Sequence, residues 1–138
     1  MTYPIDGACQ CGGVRYQLLR APLQILACHC RECQKLSTSA FSITALVRAG
    51  DVTFSGEMKD WQRKADNGNI NAAKFCPDCG NRIYHYNPDK PEFIKLKPCN
   101  LSDTSIIKPD THVWVSQKQA WFSIPADATC YEQQPPAQ

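Results

Sequence analysis

The stretch FCPDCGNRIY, residues 75–84, contains the motif Cys-x-x-Cys-Gly. This motif is typical of a zinc knuckle, a tight turn whose backbone amides point at the two sulfurs and whose glycine takes a positive φ. A redox Cys-x-x-Cys would instead open a helix within a βα unit. Because the residues after Gly80 read as a strand, the stretch predicts a zinc knuckle at Cys76 and Cys79.

A zinc knuckle supplies two ligands, so its metal needs two more from elsewhere in the chain. The candidates are Cys9 and Cys11, which precede two glycines that allow another loop to approach closely, and the cysteines within 28–33. The seven clustered thiols divide as four and three. We therefore predict one closed, structural zinc site. Its four ligands are Cys9, Cys11, Cys76 and Cys79.

The remaining clustered thiols lie in CHCREC, residues 28–33, and are Cys28, Cys30 and Cys33. Three thiolates with a fourth position open to water or substrate are typical of a catalytic zinc, and a thiol substrate would bind such a metal as the thiolate. A distant side chain could close the site instead, since His29 would point away from a metal held between its neighbours. The spacing alone leaves the open and the closed site as alternatives.

The cysteine content also bears on the cellular compartment. The N-terminal MTYPIDGACQC has neither a basic start nor an apolar run, and no stretch approaches the roughly 20 apolar residues of a membrane span. We therefore expect a cytoplasmic protein with no membrane partner. Because disulfides are rare in that reducing compartment, the clusters favour metal. Outside the clusters, Cys99 is expected to be buried and Cys130 to lie in a C-terminal tail.

Net charge limits the class of partner. The chain has a formal charge of +2, and seven thiolates binding two Zn²⁺ ions add a further −3, which leaves −1. A near-neutral protein has no broad electrostatic footprint for nucleic acid. We therefore expect a small-molecule thiol as the partner and no nucleic-acid partner.

Short strands separated by turn residues dominate the chain. GGVRYQLL, residues 12–19, alternates apolar and polar side chains as a half-buried strand does, and 39–49 followed by 51–56 suggests a hairpin. A helix of one or two turns is predicted over 30–37. Further candidate strands are 58–65, 71–76, 81–86, 93–97 and 112–116.

The pattern of short strands predicts a mainly β fold of the sandwich or barrel-like kind, with small helical additions. Because the chain has 138 residues and no internal linker, we predict a single zinc-binding domain over 1–124. The remaining residues, 125–138, are polar and Pro-rich with little to bury. We therefore predict a frayed C-terminal tail there.

Four motifs carry a resemblance to a known family: GACQCGGVRY (7–16), CHCRECQK (28–35), FCPDCGNRI (75–83) and THVWVSQKQAW (111–121). Together they resemble the glutathione-dependent formaldehyde-activating enzyme family, which also includes centromere protein V. The resemblance implies a small Mss4-like β-fold with short helical turns, stapled by two zinc ions. It implies that the four-cysteine set holds the structural zinc and that the three-cysteine set holds the second, near which glutathione would bind. One departure is Thr38, where family members commonly have glycine.

The leading hypothesis is a zinc-dependent enzyme of the carbon–sulfur lyase type that acts on a thiol adduct. The founding activity of the family adds glutathione to formaldehyde and gives S-hydroxymethylglutathione, and the resemblance implies chemistry of this kind. The alternative is a non-catalytic binding or scaffold module in which both zinc ions are structural. No catalytic residue is assigned. Arg31 and Lys35 flank the three-cysteine set, where they either offset its negative charge, attract a substrate carboxylate or remain solvated.

Overall fold

The computed structural model describes residues 2–135 and is mainly β, which confirms that part of the predicted fold class. This part of the chain contains one helix, α1 (Arg31–Ser37), and three short 3₁₀ turns at Ala49–Asp51, Pro98–Asn100 and Val115–Gln117. Its strands are β1 (Ile5–Ala8), β2 (Arg15–Leu18), β3 (Gln24–Cys28), β4 (Ser42–Arg48), β5 (Val52–Ser55), β6 (Lys59–Lys64), β7 (Ile70–Phe75), β8 (Arg82–Tyr86), β9 (Phe93–Leu96), β10 (Thr111–Val113) and β11 (Thr129–Cys130). Within residues 2–135, no helix combines the length and the apolar character needed to cross a membrane.

The chain divides into two compact units, each built from two separate stretches. Unit 1 comprises the chain up to Leu23 together with Ala45–Ile107, and unit 2 comprises Gln24–Thr44 together with the chain from Lys108 onward. The chain passes from unit 2 to unit 1 within β4. Residue 124, where we predict the domain to end, lies inside unit 2, and the single domain over 1–124 stays a prediction.

Unit 1 contains a three-stranded antiparallel sheet in the order β1-β2-β5. On its central strand Tyr16 and Leu18 are buried whereas Arg15 and Gln17 are exposed, which confirms the alternation predicted for 12–19. Because alternate residues of a strand point to opposite faces, the apolar face of β2 packs in the core and the polar face meets solvent. Burial of a side chain such as Leu18 contributes about 1.5–3 kcal/mol.

Strands β6 to β9 of unit 1 form a second antiparallel sheet, and the end of β4 pairs with β9. Across these four strands the register aligns Trp61, Ala73, His85 and Lys95. A bulge at Lys74/Phe75 shifts the pairing so that Phe75 lies opposite Arg82. A bulge re-aims the side chains beside it, and here it turns the start of β8 relative to β7.

The predicted hairpin between 39–49 and 51–56 is wrong. β4 pairs with β9, whereas β5 pairs with β2 in the other sheet of unit 1. The 3₁₀ turn Ala49–Asp51 connects the two strands, and the carbonyl of Asp51 accepts a hydrogen bond from the Leu19 N–H at 2.8 Å. A Gly-Asp turn indicates a change of chain direction but does not determine which strand the next one pairs with.

In unit 2, β10 lies between β3 and β11 and runs parallel to both. Main-chain hydrogen bonds continue past β11, from the Tyr131 N–H to His112 O at 2.9 Å and from the Val115 N–H to Tyr131 O at 3.1 Å. The prediction that 125–138 frays is therefore wrong for its described part, and 136–138 lie outside the described residues. Polar composition did not reveal this strand because it is held by backbone groups rather than by an apolar face.

The helix predicted over 30–37 is confirmed as α1. Cys30 is its N-cap residue, and the Cys30 sulfur accepts a hydrogen bond from the Cys33 N–H at 3.3 Å. The helix ends at Thr38, which has φ 50° and ψ 46° in the left-handed region. Glycine is favoured at such a C-terminal position, because it takes the left-handed conformation without strain.

Both thiols outside the clusters are exposed. The expectation that Cys99 is buried is wrong, because in the 3₁₀ turn Pro98–Asn100 it is the proline side chain that packs inward. Cys130 lies in β11.

Candidate metal centres

The sulfurs of four cysteines in unit 1 lie within 4.8 Å of one another, and they are Cys9, Cys11, Cys76 and Cys79. Cys11 Sγ is 3.6 Å from the sulfurs of both Cys9 and Cys76. A tetrahedral zinc with bonds of about 2.3 Å requires sulfur–sulfur distances of about 3.8 Å. The structure therefore brings together the four thiols that the sequence predicts as one site, at distances that fit a zinc ion.

The first two thiols lie in the loop that follows β1, and backbone amides of that loop point at them. The Val14 N–H donates to Cys9 Sγ at 3.3 Å, and the Gly13 N–H donates to Cys11 Sγ at 3.4 Å. A Cβ atom at Gly13 would stand 3.3 Å from Cys11 Sγ, so a larger residue would crowd the sulfur. Such N–H groups stabilise a thiolate, which is the form of cysteine that binds metal.

The other two thiols lie in the predicted knuckle between β7 and β8. Gly80 has φ +76°, as predicted, and its N–H donates to the carbonyl of Cys76 at 2.9 Å. The Cys76 N–H in turn donates to the carbonyl of Asn81 at 3.0 Å, which closes the turn. The Gln10 N–H donates to Asn81 Oδ1 at 3.1 Å. This last bond joins the knuckle to the loop that carries the first two thiols.

The electrostatics of the four-cysteine group favour thiolates at Cys9 and Cys79. The Gly13 N–H favours a thiolate at Cys11, but contacts with Cys76 and then Cys9 outweigh it and raise the pKa of Cys11 to about 12. Burial opposes ionisation of Cys9, but the Val14 N–H and the neighbouring thiols outweigh it and lower the pKa of Cys9 to about 6. The N–H of Asn81, followed by that of Cys11, lowers the pKa of Cys79. Thiolates this close repel one another unless a cation lies between them. The donor set therefore fits a divalent metal that prefers sulfur, such as zinc.

The three clustered thiols of unit 2 also lie within 4.8 Å of one another. Cys28 ends β3, Cys30 caps α1, and Cys33 lies in the first turn of that helix. Among residues 2–135, no other cysteine, histidine, aspartate or glutamate belongs to this group. The described part of the chain thus supplies three ligands here and four at the other site.

The three thiols share hydrogen bonds with one another. Contacts from Cys28 and then Cys33 lower the pKa of Cys30, and the contact with Cys30 raises the pKa of Cys28. One sulfur is thus the preferred thiolate, and a cation would be needed to ionise all three. The buried hydroxyl of Ser42 lies beside Cys33. The three thiols supply one ligand fewer than a tetrahedral zinc takes.

His29 does not belong to the three-sulfur group. It is fully buried, and its Nε2 lies 2.8 Å from Nδ1 of His112. The rings of Phe41 and Phe122 lie 5.0 and 5.6 Å from the His29 ring. Burial, followed by the charges of His112 and Lys118, lowers the pKa of His29 to about 4. His29 is therefore a neutral core residue.

The sequence reasoning missed Gln34, which is 6% exposed and lies in α1 next to Cys33. Its Nε2 donates to the carbonyls of His29 at 2.8 Å and Gln117 at 3.0 Å. Its Oε1 accepts from Gln119 Nε2 at 2.9 Å and from the Arg31 guanidinium. A glutamine in a short polar helix usually reads as a surface residue, so the sequence offers no signal for this role.

The two basic residues predicted to flank the three-cysteine group have different surroundings. Arg31 donates to the side chain of Gln34 and so belongs to the network just described. Lys35 forms an exposed ion pair with Glu32 at 3.8 Å, one helical turn away. Exposed pairs of this kind contribute at most about 1 kcal/mol. Neither residue belongs to the group of metal-binding atoms.

A shallow groove of about 390 Å³ lies over β1, β2 and β5 of unit 1. Its lining includes Asp6, Arg15, Tyr16 and Thr53 but no cysteine. Burial raises the pKa of the Tyr16 hydroxyl, which has no hydrogen-bond partner. The groove therefore contributes no metal ligand.

Three comparisons with known proteins complete the description of the site. The sequence model of the family described as glutathione-dependent formaldehyde-activating enzyme matches residues 4–117, which include all seven clustered cysteines. No curated protein matches the chain. A crystal structure of a Rhodobacter sphaeroides protein, a structural genomics target, resembles this fold with a TM-score of 0.52 and 22% sequence identity. The match covers 70% of this chain and 87% of that one.

Proposed function

The chain belongs to the glutathione-dependent formaldehyde-activating enzyme family, and on this basis we propose that it is a zinc-dependent enzyme of the carbon–sulfur lyase type. Its substrate would be a thiol adduct such as S-hydroxymethylglutathione, which forms from glutathione and formaldehyde. The division of seven clustered thiols into a group of four and a group of three carries the proposal. A zinc with four protein ligands is structural, whereas a zinc with three keeps a position for substrate.

We assign one zinc ion to each group of thiols, which makes two per chain. The four-cysteine group would hold the structural ion, and the three-cysteine group would hold the second ion with glutathione as co-substrate. Both sets consist of soft sulfur donors, which favour zinc over magnesium or calcium. Their close spacing and the backbone N–H groups directed at the sulfurs support this assignment.

When bound, the second zinc supplies a Lewis acid that lowers the pKa of the substrate thiol and holds it as the thiolate. In the addition reaction, the thiol sulfur forms a bond to the formaldehyde carbon. The carbonyl double bond becomes a C–O single bond, and the proton from the thiol ends on that oxygen. The reverse reaction breaks the carbon–sulfur bond and returns the proton. No oxidant or reductant is required.

The chain's own residues orient the three sulfurs. The Cys33 N–H bonds to Cys30 Sγ and so fixes one sulfur against the start of α1. Gln34 bonds to the carbonyl of His29, which lies between two of the ligands, and fixes the main chain there. Within residues 2–135 no histidine or carboxylate belongs to the three-sulfur group, so in this proposal the proton exchanges with solvent.

Exchange NMR between glutathione and S-hydroxymethylglutathione, with zinc-loaded protein present, tests this proposal. The wild-type protein should accelerate the exchange, and Cys33→Ser should abolish that acceleration while the chain stays folded. Cys99→Ser, which replaces an exposed thiol outside both groups, is the matched control and should retain the activity. An unchanged rate in Cys33→Ser would contradict the proposed site.

The alternative function is a non-catalytic binding or scaffold module with two structural zinc ions. The lack of an acid or base in the three-sulfur group, within residues 2–135, favours it. In that case the wild-type protein would not accelerate exchange. Cys33→Ser would also lower the free energy of unfolding as strongly as Cys76→Ser, because both would break a structural site.

We propose the cytoplasm as the compartment and a small-molecule thiol as the partner of the three-cysteine group. All nine cysteines are free thiols in the structure. A reducing compartment keeps clustered thiols available for metal.

A further inference from the structure

One face of the sheet formed by β6 to β9 has a composition that the proposed enzymatic function does not explain. The register aligns Trp61 with His85 and Lys95 on this face. Directly paired residues of neighbouring strands share a face, as do alternate residues within one strand. The bulge, whose extra residue is Ile83 in β8, places Arg82 opposite Phe75 and so on the same side. We call this surface the basic face. Its cations are Lys59, Arg63, Arg82 and Lys95, and its exposed aromatic residues are Trp61 and Phe93.

Several cationic side chains surround His85, which is 3% exposed. Arg82 Nη1 lies 3.0 Å from His85 Nε2, and Asn71 Oδ1 lies 3.2 Å from His85 Nδ1. The arginine donates and the amide oxygen accepts, so the imidazole is neutral with its proton on Nδ1. Burial contributes most to lowering the pKa of His85 to about 3, and four cationic side chains add to it, namely Lys97, Arg82, Lys95 and Arg63.

No carboxylate from these four strands lies on the basic face. Their one acidic residue is Asp60, which neighbours Trp61 and therefore points to the opposite face, where it forms an ion pair with Lys74. Four cations gathered without an acidic residue of their own strands repel one another and create a positive potential. Such a surface is complementary to an anionic partner.

Two aromatic side chains on the basic face are partly exposed. Trp61 and Phe93 are each 38% exposed, and the Arg82 guanidinium lies 4.9 Å from the centre of the Trp61 ring. Trp61 lies on β6 and Phe93 on β9, three strands away and displaced by two residues along the strand direction. Their Cα atoms are therefore about 16 Å apart. Arg82 comes from β8, which lies between these two strands in the sheet, and Lys95 lies on β9 two residues from Phe93.

We propose that the basic face binds single-stranded nucleic acid, with phosphates on the cations and unpaired bases stacked on Trp61 and Phe93. Cationic grooves with exposed aromatic rings are the recurring solution for single strands, because every base has a π-face that can stack. A duplex keeps its bases stacked inside and is read by elements inserted into its grooves. A simple polyanion would use the cations but would gain nothing from the aromatic rings.

The proposal also bears on the charge argument from the sequence. The chain's formal charge of +2 predicts no nucleic-acid partner only if charges of both signs are mixed over the surface. On this sheet the one carboxylate of the four strands, Asp60, lies on the face opposite Lys59, Arg63 and Lys95. The basic face shares no residue with the three-cysteine group. Loss of nucleic-acid binding and loss of the proposed enzymatic activity can therefore be measured independently.

Fluorescence anisotropy of zinc-loaded, full-length protein with a short labelled oligothymidine tests the proposal. Four phosphate contacts predict that log K falls with log salt at a slope of about −2.8, since each contact on a single strand contributes about −0.7. Lys95→Gln should therefore make the slope shallower by about 0.7. Trp61→Ala and Phe93→Ala should each weaken binding by about 5- to 150-fold through loss of base stacking.

Two matched controls separate the basic face from the rest of the surface. Lys64→Gln removes an exposed charge from the opposite face of β6, and Trp121→Ala removes the 72% exposed tryptophan of unit 2. Both should bind like the wild type. Absence of binding at low salt would overturn the proposal. So would equal affinity for a hairpin duplex, or full competition by inorganic polyphosphate together with unchanged binding in both aromatic variants.

Discussion

Thr38 is one of two residues other than glycine with positive φ among residues 2–135, and the other is Trp114. Its left-handed conformation ends α1, and a residue with a Cβ pays about 1–2 kcal/mol for it. Glycine removes that strain but adds about 0.5–1 kcal/mol of chain entropy to the unfolded state. We therefore predict that Thr38→Gly raises the free energy of unfolding by about 0.5–1 kcal/mol, measured by urea denaturation of zinc-loaded protein.

The neighbouring Ser39 provides a control for this prediction. Ser39 is exposed like Thr38, but its φ is not in the left-handed region. Ser39→Gly therefore gains no relief of strain and should leave stability unchanged or lower it. Equal effects of the two substitutions would show that the backbone conformation of Thr38 is not the cause. The position itself could be predicted from the family resemblance, whereas its dihedral angles could not.

His85 gives the protein a pH-dependent stability. Its pKa in the folded state is about 3, because burial and then the nearby cations disfavour the imidazolium, against about 6.5 in the unfolded state. Between pH 3 and pH 6.5 the unfolded state binds this proton more readily than the folded state does. The contribution of His85 to the free energy of unfolding is therefore fully present above pH 6.5 and is lost as the pH falls toward 3. Lowering the pH from 7.5 to 5 should therefore reduce the free energy of unfolding by about 2 kcal/mol through His85 alone.

The measurement is urea denaturation of the wild type and of His85→Gln at pH 7.5 and pH 5, with zinc present. Glutamine keeps a donor and an acceptor but does not titrate, so the variant should lose about 2 kcal/mol less than the wild type over this interval. Protonation of the metal-binding thiols affects both proteins equally and cancels in the comparison. Equal pH dependence in the two proteins would contradict the low pKa of His85.

At the scale of secondary-structure elements, β11 has a consequence for truncation. Residues 129–133 form main-chain hydrogen bonds to residues 110–116, including Thr129 N–H to Asp110 O at 2.9 Å. Those residues carry β10, which pairs with the strand that ends at Cys28. We predict that truncation after residue 124 lowers the free energy of unfolding by several kcal/mol, at about 1 kcal/mol for each lost hydrogen bond. Removal of 136–138 alone is the control.

Thermal or urea denaturation of both truncated chains measures this effect, and the zinc content of each should be determined in parallel. If truncation after residue 124 left the free energy of unfolding unchanged, the pairing of β11 with β10 would be contradicted. The sequence could predict α1 from helix-forming residues and the strand around Tyr16 from its alternation of apolar and polar side chains. It could not predict β11 or the separate partners of β4 and β5, because strand pairing depends on distant backbone groups.

At the scale of the whole molecule, the grouping of the thiols follows from local spacing and counting. A Cys-x-x-Cys-Gly turn needs two further ligands, and seven clustered thiols allow only one complete set of four. The network around Gln34 and the basic face have no such local signature. Gln34 is defined by contacts with residues more than eighty positions away, and the basic face depends on the register of four strands.

Zinc removal should therefore have two distinct stages. We predict about two zinc ions per chain by metal analysis, and stepwise chelation should release the ion of the three-cysteine group first, because it has fewer protein ligands. That first release should leave the β-sheet circular dichroism signal intact. Loss of the second ion should coincide with unfolding, since the four-cysteine group joins the loop after β1 to the turn between β7 and β8. Cys33→Ser should contain one zinc and show only the second stage. One zinc per wild-type chain, or unfolding at the first release, would contradict the division into a structural and an open site.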